Sequence, residues 1–335
     1  MFKNKSILIT GGTGSFGQAI VEKVLSNNNF NTIKKIVIYS RDELKQTNML
    51  NKINKSKLKK IRFYIGDIRD QNRLNRALEG IDIVIHAAAL KHVPIAESNP
   101  FEFIKTNVVG AHNVVEACLN NNIENVIALS TDKAVSPINL YGATKLCSDK
   151  IFTSANLMKG SKKIKFSVVR YGNVFGSRGS VVPIFLEQLK TGFFTITHKN
   201  MTRFNITLDQ AVDMVLWSLK NNIGGEIFVP KVPSFKILDL AKAINSKCKL
   251  KFIGIRPGEK IYEELISKAD SINTYNIGNY YSVVEQTQLP VIEHYQKKKY
   301  KKVPINFEYN SSNNQVFLTE NKLKELLKHL KKNKF

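Results

Sequence analysis

Short apolar runs alternate with amphipathic stretches along the first half of the chain. The runs are S-I-L-I-T (6–10), K-I-V-I-Y (35–39), I-R-F-Y-I (61–65), I-D-I-V-I-H (81–86), N-V-I-A-L-S (125–130) and F-S-V-V-R (166–170). They are rich in β-branched residues and nearly continuous, as strands buried on both faces should be. Stretches with helical periodicity lie between them, for example 98–121 and 139–158. Strand–helix alternation predicts an α/β fold built on a doubly wound parallel sheet. After Arg170 the pattern loosens, and residues 173–205 hold three Gly and one Pro with little periodicity. A helix (208–221), a strand (226–229), a helix (236–246) and a strand (250–254) follow, which predicts a smaller mixed C-terminal lobe. A cleft between that lobe and the carboxyl ends of the parallel strands is where open α/β sheets bind ligands.

Composition narrows the class. The 335 residues suit two domains, and 43% hydrophobic residues suffice for a real core. No apolar run approaches the ~18 residues that span a bilayer, and the opening M-F-K-N-K-S-I-L-I-T lacks the features of a signal peptide. The expectation is a cytoplasmic protein without a membrane partner. Cys118, Cys147 and Cys248 are odd in number and form no C-x-x-C pair, and no histidines pair at ligand spacing. Reduced thiols and no metal are therefore expected. The formal charge is +24, and residues 296–335 hold eleven lysines against three glutamates. Such an excess suits nucleic acid or a small anionic substrate. Lysine, asparagine and isoleucine are abundant throughout, so the bias reads as general composition, and no nucleic-acid partner is expected.

Three motifs carry chemistry. The first strand runs into T-G-G-T-G-S-F-G, in which Gly11, Gly14 and Gly17 are spaced G-x-x-G-x-x-G ahead of a helical pattern at 18–26. Such glycines bring backbone N–H groups up to a pyrophosphate at a helix N-terminus. Thr13, Ser15 and Phe16 belong to the same cofactor-binding loop. At the end of the second strand, Y-S-R-D-E-L-K-Q offers Ser40, Arg41 and Lys45 to a ribose 2′-phosphate, which favours NADP. Asp42 lies among them and either meets a ribose hydroxyl or caps the next helix. Asp67 in I-G-D-I-R-D follows the third strand, where it reaches the adenine or makes a plain turn. Finally, Tyr141 and Lys145 are four apart in a helical pattern and share a face. A lysine cation beside a phenol favours the phenolate and lowers its pKa.

With the glycine loop upstream, the Tyr–Lys pair makes the chain resemble the extended short-chain dehydrogenase/reductase family. The resemblance is nearest to its inverting UDP-N-acetylglucosamine 4,6-dehydratase branch. It is carried by I-T-G-G-T-G-S-F-G, Y-S-R-D-E-L-K-Q, H-A-A-A-L-K-H-V-P-I-A-E, K-T-N-V-V-G-A, A-L-S-T-D-K-A, P-I-N-L-Y-G-A-T-K, V-V-R-Y-G-N-V-F-G-S-R-G-S-V-V-P, M-T-R-F, G-G-E-I-F-V-P-K and I-R-P-G-E-K, with F-E-Y-N-S-S-N-N near the end. It implies a Rossmann-like NADP-binding domain over 1–172, joined by later segments. A UDP-sugar lobe over 173–275 and a basic extension over 276–335 would follow. Ile68, Ala87, Ala88 and Lys91 would lie along the cofactor, with Lys91 also near the sugar.

The resemblance also implies roles. Tyr141 takes the C4 hydroxyl proton, Lys133 is the base at C5, Asp132 is the acid at C6, and Thr131 binds the sugar near C4. Retaining relatives carry Asp-Glu where this chain has Asp132-Lys133, so the lysine points to inversion at C5. To act, Lys133 must be neutral and Asp132 protonated; burial favours both states and an ion pair between them opposes both. Asn173, Val181, Val182, Arg203, Arg256 and Glu259 would bind the UDP end, where a guanidinium suits a diphosphate and a carboxylate a ribose diol. A homo-oligomer is expected, dimer-based and up to a hexamer. The same-fold alternatives are a UDP-sugar 4-epimerase, which needs no acid–base pair at 132–133, and a retaining dehydratase. A silent NADP-binding scaffold has no use for Asp132, Lys133, Tyr141 and Lys145 together.

Overall fold

A computed structural model describes residues 2–26, 32–177 and 179–332. The six apolar runs all become strands: β1 (Ser6–Thr10), β2 (Lys35–Ser40), β3 (Ile61–Ile65), β4 (Ile83–His86), β5 (Asn125–Thr131) and β6 (Lys165–Tyr171). The fourth starts two residues later than its pattern: Ile81 belongs to the turn after α3, its N–H donating to Leu78 O, and Asp82 is tied to β1 by its carboxylate, which accepts the Ser6 N–H at 2.6 Å, and by its own N–H to Ser6 O. The second half adds β7 (Phe193–Ile196), β8 (Thr202–Phe204), β9 (Glu226–Pro230), β10 (Ser234–Lys236), β11 (Lys249–Phe252), β12 (Glu264–Ile266), β13 (Thr274–Asn276), β14 (Tyr280–Val284), β15 (Lys301–Lys302) and β16 (Tyr309–Asn310).

Ten of these form one sheet in the order β15-β13-β14-β9-β6-β5-β4-β1-β2-β3. The seven strands from β3 to β9 run parallel, and β14, β13 and β15 extend the sheet antiparallel. The order 3-2-1-4-5-6 reverses between β1 and β4, and that switch point opens the crevice in which such sheets hold ligands.

Helices cover both faces, because strands buried on both sides need two apolar covers. They are α1 (Ser15–Ser26), α2 (Glu43–Lys52), α3 (Gln71–Ala77), α4 (Val93–Ser98), α5 (Pro100–Phe103), α6 (Gly110–Asn120), α7 (Leu140–Met158), α8 (Val181–Gln188), α9 (Leu208–Asn221), α10 (Ile237–Ile244), α11 (Leu289–Lys297) and α12 (Glu320–Lys332). The stretch 98–121, expected as one amphipathic segment, begins at the last residue of α4 and is divided into α5, a π-helical turn at Ile104–Val109 and α6. Inside that turn Asn107 is 2% exposed. Its amide accepts from Leu90 N and donates to Leu90 O and Thr144 Oγ1. A wider turn at a buried polar clamp is a usual place for a π-bulge.

The main core runs along the sheet, and a second apolar cluster forms the lobe. Phe175, Phe185, Phe194, Phe235 and Leu240 are buried there together with Leu323 and Leu327 of α12. The tail is thus built in: β13, β14 and β15 lie in the large sheet, and α12 closes the second core. Among the described residues, no helix is long and apolar enough to cross a membrane.

Candidate active site

The glycine loop joins β1 to α1 at the switch point. Gly11 has φ +65°, and a Cβ there would stand 2.8 Å from Ala88 Cα. A Cβ on Gly17 would meet Gly12 O at 2.3 Å. Both positions therefore demand glycine from the fold itself. Gly14 differs: a Cβ there would have only Gly11 O near, at 3.2 Å. Gly14 and Ser15 are exposed, whereas Thr13 is buried and its carbonyl accepts from Gln18 Nε2. Phe16 packs on the main core. The Ala87 N–H donates to Thr10 O, and the Ala88 N–H donates to Thr10 Oγ1, so the ends of β1 and β4 are fastened side by side. His86 completes that join through Nδ1 and Thr10 Oγ1 at 2.8 Å. Burial, with Lys145 adding repulsion, holds its pKa down at about 3, so the ring is neutral and structural.

The polar groups at the end of β2 are more self-occupied. Asp42 caps α2, accepting the Lys45 N–H at 2.9 Å and pairing with Lys45 Nζ at 2.8 Å. Ser40 is buried, and its hydroxyl accepts from Gln46 Nε2. Arg41 reaches Asp67 at 3.5 Å, and Asp67 also takes Arg69 at 2.8 Å. These pairs are largely exposed, so releasing Arg41 or Lys45 to a phosphate costs little. Ile68 is buried, its side chain under Gly110 and its carbonyl held by Asn113.

The end of β5 carries a cluster of titratable side chains. Thr131 ends the strand, and the chain turns through Asp132–Ala134 into α7. Gly142 lets α7 begin there: a Cβ would stand 2.2 Å from Lys133 O. Asn139 caps the helix by accepting the Gly142 N–H and donates to Gly258 O of the R-P-G-E loop. Tyr141 and Lys145 are thereby set beside Asp132 and Lys133, and all four are fully or largely buried.

Asp132 is 0% exposed. Its Oδ1 accepts from Thr131 Oγ1 and from Lys133 Nζ, both at 3.0 Å. Its Oδ2 faces Gly172 and has no partner among the described residues. Lys133 Nζ also meets Asn173 Oδ1 at 3.3 Å and Glu263 Oε1 at 3.1 Å. Burial raises the Asp132 pKa, and Glu263 reinforces the rise against the pull of Lys133. Burial opposes the Lys133 charge, but the two carboxylates outweigh it and its pKa rises. Asp132 is thus moved toward the protonated form a general acid needs, while Lys133 is held as an ammonium.

The expected lowering of the Tyr141 pKa is corrected by the structure. Burial pushes the phenol up to about 12, opposed by Lys133 and by a hydrogen bond with Thr131. Lys145 Nζ donates instead to Leu129 O at 2.9 Å. Its own pKa is lowered by burial against the attraction of Asp149, which is itself held by Ser130 and Arg170.

The lobe supplies the other wall. Arg203, on β8, is buried and donates to Thr202 O and Ile261 O. It reaches Glu259 at 3.5 Å and Glu263 at 3.7 Å. Arg256 is exposed, and its N–H donates to Glu259 Oε2 at 3.4 Å. Lys260 Nζ donates to Val135 O, tying the same loop to the segment before α7. Lys91 is exposed at the rim; partial desolvation and then Lys133 lower its pKa. Val181 and Val182 open α8, with Val182 buried in the second core and Val181 at its edge. Glu263 was missed in the sequence, where Y-E-E-L ahead of a short strand carries no signal. Among the described residues, no group of His, Cys, Asp and Glu could hold a metal ion.

Comparison with known proteins agrees with this geometry. The profile of the polysaccharide biosynthesis protein family matches residues 7–285. A UDP-N-acetylglucosamine 4,6-dehydratase (inverting) of Campylobacter jejuni serotype O:2 is 49% identical, covering 98% of this chain and 99% of that protein. A UDP-glucose 4-epimerase of Rickettsia typhi is 45% identical, covering 98% and 96%. The X-ray structure of Pen from Bacillus thuringiensis superposes with a TM-score of 0.87 at 35% identity, over 98% of this chain and 99% of that one. With its doubly wound sheet, glycine loop and Tyr–Lys helix, this chain belongs to the polysaccharide biosynthesis protein family, within the extended short-chain dehydrogenase/reductase fold.

Proposed function

We propose that the chain is an inverting UDP-N-acetylglucosamine 4,6-dehydratase. It would convert its substrate to UDP-2-acetamido-2,6-dideoxy-β-L-arabino-hex-4-ulose. The observation that carries this reading is the buried Asp132–Lys133 pair, 3.0 Å apart at the end of β5, in the same cluster as Tyr141. The similarity to the Campylobacter dehydratase supports it over nearly the whole chain.

The cradle fits a dinucleotide. Gly11 and Gly17 shape the loop, exposed Gly14 and Ser15 leave the α1 N-terminus open to a pyrophosphate, and Ala87 and Ala88 border the crevice. NADP is the form assigned, from Ser40, Arg41 and Lys45 at the end of β2, with Asp42 as the helix cap and Asp67 with Ile68 toward the adenine. A bound nicotinamide supplies hydride acceptance at C4 and hydride return at C6, so its redox sum is zero.

The chain's own residues handle protons. Thr131 orients the sugar near C4 and Tyr141 takes the C4 hydroxyl proton. Burial pushes the phenol up to about 12, and the charge of Lys133 together with the Thr131 hydrogen bond draws it back toward the phenolate. Lys133 removes the C5 proton, made acidic by the new C4 ketone. Asp132 protonates the C6 hydroxyl, and water leaves. The C5 carbon is then reprotonated on its other face. Lys91 borders the sugar, Asn173 fixes Lys133 and the diphosphate side, and Val181 and Val182 form the nucleotide side. Arg203, Arg256 and Glu259 hold the UDP end.

A 4-epimerase is the second reading, favoured by the name of the Rickettsia relative. It leaves a buried acid–base pair without a task. Mass spectrometry of the sugar nucleotide separates the two: dehydration removes one water, and epimerisation leaves the mass unchanged. We place the enzyme in the cytoplasm as a homo-oligomer. Exposed Phe101, Val109, Leu157 and Met158 lie on the α5-to-α7 segments that would pair. Light scattering on the purified protein tests that assembly.

A further inference from the structure

Asp132 and Lys133 face a conflict if they pair only with each other. A simple ion pair would leave Asp132 ionised and Lys133 protonated, the wrong state for both an acid and a base. The structure contains a third member. Glu263 reaches in from the lobe just ahead of β12, is 2% exposed, and sets Oε1 3.1 Å from Lys133 Nζ. Its Oε2 is buried without a partner among the described residues, as is Asp132 Oδ2. The backbone of Glu263 is fixed on both sides by Ser311, which accepts its N–H and donates to its carbonyl.

We propose that Glu263 is a positioning residue that acts through Lys133: it is the counter-ion and proton acceptor of the Lys133 amine, which leaves Asp132 free to keep its own proton as the acid. This rests on the dehydratase reading above. Two buried carboxylates around one amine cannot both ionise easily, so one retains a proton. The proton belongs on Asp132, which is 0% exposed with Oδ2 unpartnered among the described residues, whereas Glu263 has Arg203 3.7 Å away as a second cation; burial raises the Asp132 pKa, and Lys133 and Arg203 hold Glu263 low. Among the described residues the partners of Lys133 Nζ are Asp132, Glu263 and the neutral Asn173 amide, so with Asp132 protonated Glu263 is the base at hand. In that transfer an N–H bond of Lys133 breaks and an O–H bond forms on Glu263. The electron pair stays on nitrogen, and the +1 and −1 charges both become zero. Lys133 is then the neutral amine that C5 deprotonation requires.

The charged groups facing this triad are Arg203 and Lys260 of the lobe, Tyr141 of α7 and Lys91 after β4. Arg203 is the cation that lowers Glu263 from its other side. A diphosphate drawn to Arg203 would offset that cation and favour the transfer, so sugar binding would itself arm the base.

The test compares the wild type with Glu263→Gln and Glu263→Asp by two readouts. Acetylation of Lys133 by acetic anhydride, followed peptide by peptide across pH, reads the amine directly and needs no turnover. Wild-type Lys133 should label later in pH than surface lysines, and Glu263→Gln should bring its onset down by roughly one unit or more. The kcat/KM profile is the second readout. Losing the Glu263 charge lowers both the Lys133 and Asp132 values, so the whole bell moves to lower pH. Its kcat falls roughly a hundredfold with KM little changed. Glu263→Asp, which keeps the charge, holds the bell in place at a reduced rate. A bell that only drops in height marks a merely structural role and overturns the proposal. So does a wild-type Lys133 that labels like a surface lysine, even if Glu263→Gln does not fold. Absence of dehydration by the wild type would instead count against the functional reading, with the labelling still deciding the role of Glu263.

Discussion

At the scale of single residues, the site is a cluster of groups whose charges are set by burial and by each other. Lys133→Ala removes the proposed C5 base and leaves Asp132 with its Thr131 hydrogen bond, while the glycine loop at the end of β1 is unchanged. Its turnover should fall roughly 100- to 10,000-fold, while dinucleotide binding, measured by fluorescence titration, stays at wild-type strength. Much of this cluster was legible in S-T-D-K and L-Y-G-A-T-K, because the Asp, Lys and Tyr are close in sequence and near one strand end. Glu263 was not legible. It lies 130 residues beyond Lys133 and meets it only because the lobe folds back over the sheet. The Tyr141 shift also escaped the sequence, since the i, i+4 spacing shows that Lys145 shares its face but not that its ammonium turns to Leu129 O.

At the scale of elements, the loop between β1 and α1 divides its glycines by task. Gly17→Ala drives a Cβ into the Gly12 backbone at 2.3 Å, so the variant should lose both thermal stability and dinucleotide affinity. Gly14→Ala meets its nearest atom, Gly11 O, at 3.2 Å and should lose less stability than Gly17→Ala while binding the dinucleotide more weakly. Equal losses of stability in the two variants would contradict that division. His86 links β1 to β4 and makes a pH prediction. Its folded pKa is near 3 and an unfolded histidine titrates near 6.5, so below 6.5 the unfolded chain takes up a proton that the folded chain refuses. Stability contributed by the neutral ring is complete above pH 6.5 and is lost as pH falls toward 3, at about 1.4 kcal/mol per unit. Urea midpoints between pH 7 and 4 should fall less steeply in His86→Asn than in the wild type. The strand–helix alternation showed these elements in advance, since buried parallel strands are nearly unbroken apolar runs. The π turn at Ile104–Val109 was hidden, because its cause is the tertiary clamp from Asn107 to Leu90 and Thr144.

At the scale of the molecule, the lobe and the sheet meet at Lys133 and Glu263, and the tail is packed into the lobe. Ser311, within F-E-Y-N-S-S-N-N, holds both Glu263 and Thr202, next to Arg203. Leu323 of α12 is 0% exposed in the second core. Leu323→Ala should cost about 2–5 kcal/mol, read by urea unfolding. It should reduce activity only as far as it unfolds the lobe; a negligible cost would mean that α12 is dispensable. In sequence the tail is mostly a lysine excess, and composition gives no hint that its apolar residues at 323 and 327 complete a core.

The central claim, dehydration with inversion at C5, is tested most directly by proton NMR of the purified protein with UDP-N-acetylglucosamine in deuterated water. The expected product shows a new C6 methyl signal collapsed to a singlet by deuterium at C5, a C4 ketone or its hydrate, and H1–H2–H3 ring couplings of the L-arabino configuration. Appearance of UDP-N-acetylgalactosamine, or a 4-keto product of D-xylo configuration, would contradict it.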